Sequence, residues 1–291
     1  MGGIMDVKSL GDVEWSDIVP YFVKYPYQIY KRRKLIQKLY KRFMAYTKMG
    51  RTNVVVLGRS SAGKTLLAKR LEGKIPSYKE VPALSTDVEV GAVGVGEWAK
   101  VIRVIPGQDG VERRRGLEEA FSTHNDLEGV IYVTDWGFTE YRDENTKQLL
   151  LDKGVATIET LRKYNLDRDI GYFRDVCELI KTSVANGRGP RWVVIAVSKA
   201  DLFYDELNDA RKYYLSSQCG GFVEELHSLE RCVGTLHLPC KVVPVSAWRE
   251  KFEWNGQVRD VQMADVATDE VLFRHFEYVL ATLSARAMKR R

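Results

Sequence analysis

Eight consecutive residues carry the clearest chemistry in the chain: Gly58-Arg59-Ser60-Ser61-Ala62-Gly63-Lys64-Thr65. Gly58 and Gly63 let the backbone bend sharply and come close to an anion. The amides around Ser61, Ala62 and Gly63, with Ser60 beside them, would point at phosphate oxygens, helped by the start of a helix. Lys64 would reach the β- and γ-phosphates, and Thr65 would hold Mg²⁺ through its hydroxyl. The pattern is G-x-x-x-x-G-K-[ST], a loop for a nucleoside triphosphate.

Such a loop needs a strand before it and a helix after it. Val54-Val55-Val56-Leu57 is a short β-branched run suited to a buried parallel strand. Thr65 to Leu71 reads as a short helix, stopped by Gly73 and Pro76. Further apolar runs follow at Gly129 to Asp135, Trp192 to Val197 and Lys241 to Val245. Val88 to Val95 and Ala99 to Ile105 read as a hairpin turning at Gly94 to Glu97. Helical patterns fall at Glu112 to Ser122, Leu149 to Lys163, Asp169 to Ala185, twice within 205–233, and at Asp269 to Met288. Strands alternating with helices predict an α/β fold: a P-loop NTPase three-layer sandwich with a mostly parallel central sheet.

Ligands in such folds sit at the strand ends. Ser198-Lys199-Ala200-Asp201 follows one buried run. The tetrapeptide resembles the guanine-specificity motif of GTPases, which implies that the Asp201 carboxylate accepts from N1–H and the exocyclic amine of guanine, a pair that adenine lacks. The stem of Lys199 would cover the base. Ser246-Ala247 follows the last strand, where a backbone amide would meet the guanine carbonyl. The two loops resemble the [NT]-K-x-D and S-A motifs of GTPases, with Ser198 in place of the usual Asn or Thr.

Over residues 51–291 the chain resembles the Ras-like superfamily of small GTPases, nearest in appearance to the Arf family and the signal-recognition-particle receptor β subunit. Gly107-Gln108-Asp109 is similar to the Arf G-G-Q-D, and Gly129 to Asp135 to its G-x-I-F-V-V-D strand. Thr86 lies close to the family spacing ahead of Gln108. The resemblance implies GTP/GDP and Mg²⁺ as cofactors. It implies that Thr86 completes the Mg²⁺ shell with Thr65, that Gly107 contacts the γ-phosphate through its amide, and that Gln108 orients the attacking water, with Lys64 as the other catalytic residue.

The pattern breaks at one position. Val104 stands three residues before Gly107, where the family has an acid holding a magnesium-bound water. Asp87 and Asp109 are nearby substitutes. No arginine is identified for the transition state. Arg59 is in the loop but would face outward, and Arg113, Arg114 and Arg115 read as a solvated charge run. Two functions are therefore carried. One is a guanine-nucleotide switch with slow, Mg²⁺-dependent hydrolysis, signalling to a protein partner through segments 76–87 and 106–116. The other is a nucleotide-bound scaffold subunit that hardly hydrolyses.

Composition fits a soluble globular chain, with 45% hydrophobic and 29% charged residues and no apolar run near the ~20 residues of a membrane span. Cys177, Cys219, Cys232 and Cys240 fall in no metal-finger spacing and read as reduced thiols, so a cytoplasmic location is expected. The N-terminus has no secretory core, and Asp6 breaks the myristoylation pattern.

The net charge of +6 is concentrated early. From Lys24 to Arg51 ten basic residues and no acid occur, interleaved with aromatics. Residues 21–49 thus read as a basic amphipathic helix, within an N-terminal extension over 1–50. That helix would pack on the following domain, or meet a partner or an anionic membrane surface; nucleic acid is not expected. The G domain is expected over 51–291, with insertions near 141–190 and 205–240 that build partner surfaces or cover the core.

Overall fold

The computed structural model describes residues 54–73, 88–95, 98–108, 110–121, 127–216, 220–235, 237–263 and 266–289. The extension with its basic helix at 21–49, and Thr86, Asp87, Asp109 and Cys219, lie outside the described residues.

The apolar runs do form buried strands. β1 (Val54–Leu57), β4 (Gly129–Thr134) and β5 (Trp192–Val197) are buried at every residue. With β2 (Glu89–Val95), β3 (Trp98–Val104) and β6 (Cys240–Pro244) they form one sheet in the order β2-β3-β1-β4-β5-β6. β1 pairs in parallel with β3 and β4, β4 with β5, and β5 with β6; β2 joins β3 antiparallel. Parallel neighbours need crossover connections. These are filled by α1 (Lys64–Leu71), α2 (Val111–Phe121), α3 (Glu144–Asp152), α4 (Ile158–Ala185), α5 (Leu207–Leu215) and α6 (Gly221–Val233), and α7 (Val266–Lys289) closes the fold.

Alternate strand residues serve opposite faces. Val54, Val56, Ile131, Val133, Val194 and Ala196 pack with Leu67 and Leu71 of α1 and Phe273, Phe276 and Leu280 of α7. Val55, Leu57, Val130, Tyr132, Val193 and Ile195 pack with Phe173 and Ile180 of α4, Tyr214 of α5 and Phe222 of α6. The result is the three-layer P-loop NTPase sandwich.

The fit across the sheet is close at Gly129. A Cβ there would stand 2.2 Å from the indole of Trp192 on the neighbouring strand. Gly129→Ala is expected to cost ~1–3 kcal/mol through overpacking, read as a lower urea midpoint at unchanged slope.

The 141–190 stretch departs from its expected helices. A helix over Leu149 to Lys163 does not form. α3 ends at Asp152, Gly154 adopts a positive φ of 81°, and Thr157 caps a new helix through a capping box with Thr160. α4 then runs unbroken through the polar Tyr164 to Arg168, because Leu161, Asn165, Asp169 and Phe173 recur every four residues on its buried face. A further hairpin, β7 (Phe252–Trp254) with β8 (Gln257–Arg259), turns on Asn255 and Gly256, both at positive φ (46° and 76°). Asn-Gly is the residue pair such a turn favours, so this element was readable from the sequence.

Candidate nucleotide site

The phosphate loop is shaped by its backbone. Gly58, Ser61 and Gly63 have φ of 139°, 60° and 89°. At Gly58 a Cβ would stand 2.1 Å from the carbonyl oxygen of Val133, so a glycine is needed for both torsion and space. α1 starts at Lys64 with no side-chain cap on Gly63. The first amides of a helix have no partner within the helix itself, which suits this end to an anion.

Lys64 is buried, and its Nζ donates to the carbonyls of Gly58 (2.9 Å) and Arg59 (2.7 Å). It thereby ties the two ends of the loop together. Burial, with Arg113 nearby, lowers its pKa to about 7. Thr65 Oγ1 donates to Glu89 Oε1 at the start of β2, at 3.2 Å.

Arg59 faces inward, contrary to the outward orientation expected from sequence. Its guanidinium is buried and donates to the carbonyl of Asn165 (2.9 Å) and to the hydroxyl of Tyr141 (3.1 Å). Burial opposes its charge, but Tyr141, Asp135 and Asp169 outweigh that and raise its pKa. Asn165 is on α4, so this helix packs on the sheet and also braces the phosphate loop. α4 is pinned to the sheet by Asp169, which accepts from Tyr132 (2.7 Å) and Thr134 (2.8 Å). Burial raises the Asp169 pKa to about 6.

Gly107 is pressed against the loop. A Cβ there would stand 2.2 Å from the Ser60 amide nitrogen. Gln108 beside it is exposed. Both line a cavity of about 330 Å³ together with Ser60, Ser61 and Tyr172. Arg113, in the first turn of α2, lies over the Tyr172 ring at 4.2 Å. It is not part of a solvated run, whereas Arg114 is exposed and Arg115 pairs with Glu119 at 3.1 Å.

The other two loops converge on the same place. Ser198 Oγ donates to the carbonyl of Ala62 at 2.6 Å, joining the end of β5 to the phosphate loop. Lys199 adopts a positive φ of 57°. Its ammonium donates to the carbonyl of Phe138 and lies 3.8 Å from Asp135. Asp201 is 1% exposed and accepts from Ser246 Oγ at 3.1 Å. Burial raises its pKa to about 6, against hydrogen bonds from Ser246 and the backbone. Ala247 follows in a half-buried bend. Gly58 to Thr65, Gly107, Gln108, Ser198 to Asp201 and Ser246 thus follow the carboxyl ends of β1, β3, β5 and β6, at one end of the sheet. Thr86 lies outside the described residues.

Residues 53–165 match the family described as 50S ribosome-binding GTPase, a stretch that holds the phosphate loop and ends within α4. Sheet order and loop geometry define a P-loop NTPase fold, and over residues 53–165 the chain is similar to that GTPase family. No curated protein matches the sequence.

Among solved structures, a dimerization-deficient mutant of Toc33 from Arabidopsis thaliana is 13% identical, with 94% of this chain and 97% of that chain covered and a TM-score of 0.43. The Sar1 small COPII coat GTPase from Encephalitozoon cuniculi in complex with GDP is 15% identical, with 94% and 97% covered and a TM-score of 0.38. Bacterial elongation factor EF-Sec is 18% identical at a TM-score of 0.37, and the match spans 68% of this chain but only 26% of that one. At these scores the likeness is one of outline.

Proposed function

We propose that the chain is a guanine-nucleotide-binding switch with slow GTP hydrolysis. One observation carries this reading: the Ser198 hydroxyl on the Ala62 carbonyl at 2.6 Å, which fastens the guanine-reading loop to the phosphate-reading loop. A base and a phosphate chain would then be held by one rigid unit. Lys64 and the loop amides bind the phosphates, Asp201 and the Ala247 amide read guanine, and Gln108, at the mouth of the cavity, orients water. Ser246, Lys199 and Gly107 position these groups. Because Asp201 is buried under the Ser246 to Glu250 turn, guanine entry requires that turn to open.

The donors present suit Mg²⁺, which takes hard oxygen ligands and keeps phosphates and waters in its shell. The Thr65 hydroxyl beside a carboxylate oxygen provides that chemistry. Thr65 would hold the ion, with Thr86 as the expected second hydroxyl, and the ion would supply charge neutralisation at the β- and γ-phosphates.

We assign Arg113 the role of steadying the transition state, since it acts on Lys64 electrostatically and stacks on Tyr172 of the cavity wall. Arg113→Ala is expected to slow single-turnover GTP hydrolysis by ~tenfold or more while leaving GDP affinity within about threefold. Equal rates in the two proteins would remove Arg113 from that role. The intrinsic rate is expected near ~10⁻⁴ s⁻¹. A protein partner would read the ordering of segment 106–116, along with 76–87.

One observation favours the second reading, a scaffold that hardly hydrolyses: Val104 is buried where an acid is expected. The nucleotide that copurifies, identified by mass, and its single-turnover decay with Mg²⁺ separate the two. GTP intact after many hours, with Gln108→Ala unchanged, would leave the scaffold.

A further inference from the structure

Val104 removes a carboxylate from the end of β3, but the sheet places another beside it. β2 pairs antiparallel with β3, and the residue directly opposite Val104 is Glu89. Directly opposed residues in an antiparallel pair project to the same face, with Cβ atoms ~5 Å apart. That face is the one on which α1 packs, since Val104 belongs to the same core as Leu67 and Leu71. A glutamate is one methylene longer than an aspartate, which shortens the remaining gap to α1.

The side chain covers that gap. Glu89 Oε1 accepts from Thr65 Oγ1 at 3.2 Å, and the Glu89 charge acts on Lys64. A hydroxyl has one proton and two lone pairs. With its proton directed at Glu89, the Thr65 hydroxyl presents its oxygen as a hard ligand of the kind Mg²⁺ takes. The carboxylate thus orients the expected ligand and adds a negative charge within one turn of the phosphate loop.

We propose that Glu89, supplied by the neighbouring antiparallel strand, is the acid of the magnesium shell that Val104 cannot provide. The proposal rests on the guanine-nucleotide reading above. It requires only oxygen donors, which suits Mg²⁺, and it accounts for a buried valine at the usual position without loss of the metal. Glu89 acts by aiming Thr65 and by accepting from waters on the ion, so its removal is expected to cost ~10–100-fold in metal affinity, as for other outer-shell partners.

The test measures a fluorescent GDP analogue bound to the full chain with EDTA and with Mg²⁺, and Mn²⁺ binding to the GDP complex by electron paramagnetic resonance. Glu89→Gln keeps the shape and an oxygen acceptor for Thr65. It is expected to bind GDP in EDTA as well as wild type or better, because a negative charge near the phosphates is gone. Its gain in affinity from Mg²⁺ should vanish, and its Mn²⁺ affinity should fall ~10–100-fold. Adding Val104→Asp to Glu89→Gln should restore Mn²⁺ binding.

A Glu89→Gln protein that keeps the wild-type Mg²⁺ gain would overturn the assignment. So would equal losses with and without metal, which mark a merely structural contact. Wild-type protein that binds no guanine nucleotide in either buffer would refute the guanine reading itself, and the metal site with it.

Discussion

Lys64→Ala is expected to weaken GDP and GTP binding by on the order of a hundredfold, because a buried cation facing the phosphates is lost. The ligand-free protein should melt at nearly the wild-type temperature. The ammonium makes two hydrogen bonds to the loop carbonyls of Gly58 and Arg59, but its burial is costly enough to bring its pKa down to about 7. The two effects offset, so affinity and stability should separate in this variant. Fluorescence titration and thermal melting read the two quantities. A melting temperature that falls along with affinity would mean that Lys64 chiefly holds the loop together.

The same shift sets a pH dependence. In the free protein Lys64 loses its proton above about pH 7. Phosphate oxygens favour the charged form, so binding takes up a proton there. Affinity should therefore fall as pH rises above about 7, up to tenfold per unit, and Lys64→Ala should abolish that slope.

How much of this was legible beforehand depends on how local each feature is. The phosphate loop, its strand and its helix are contiguous, and each follows from neighbouring residues. The sheet was legible because strands buried on both faces are apolar at every position. The placement of Ser198 to Asp201 was legible too, because the segment lies directly after β5. The brace on Arg59 was not. Its partners, Tyr141 and Asn165, are 82 and 106 residues away in sequence, and no local pattern links them. Glu89 was missed in favour of Asp87 and Asp109, which are nearer in sequence to family motifs. Only the register of β2 on β3 identifies it, and register is a pairing property that neither strand states alone. α4 was divided in two because Tyr164 to Arg168 looked like loop. The four-residue step of its buried face was present, but two of the four buried residues are polar, Asn165 and Asp169.

Asp201→Asn is expected to lower GDP affinity by ~100-fold, since a charged acceptor facing two guanine donors is replaced by a neutral amide. The amide donates where guanine also donates. A diphosphate of xanthine, which presents a carbonyl in place of the amine, should then bind the variant better than GDP does. Titrations with the two ligands give the test, and unchanged GDP preference would remove Asp201 from base recognition.

The buried carboxylate adds a second pH limb of opposite sign. Its pKa in the free protein is about 6, and guanine requires the ionised form, so binding releases a proton as pH falls below that value. GDP affinity should fall on the acid side of about 6 as well as on the basic side of about 7. Asp169 titrates in the same acid range but is committed to Tyr132 and Thr134 within the sheet. The acid limb therefore belongs to base recognition if it disappears in Asp201→Asn while the alkaline limb remains. If it persists there, Asp169 and the packing of α4 on the sheet are its source.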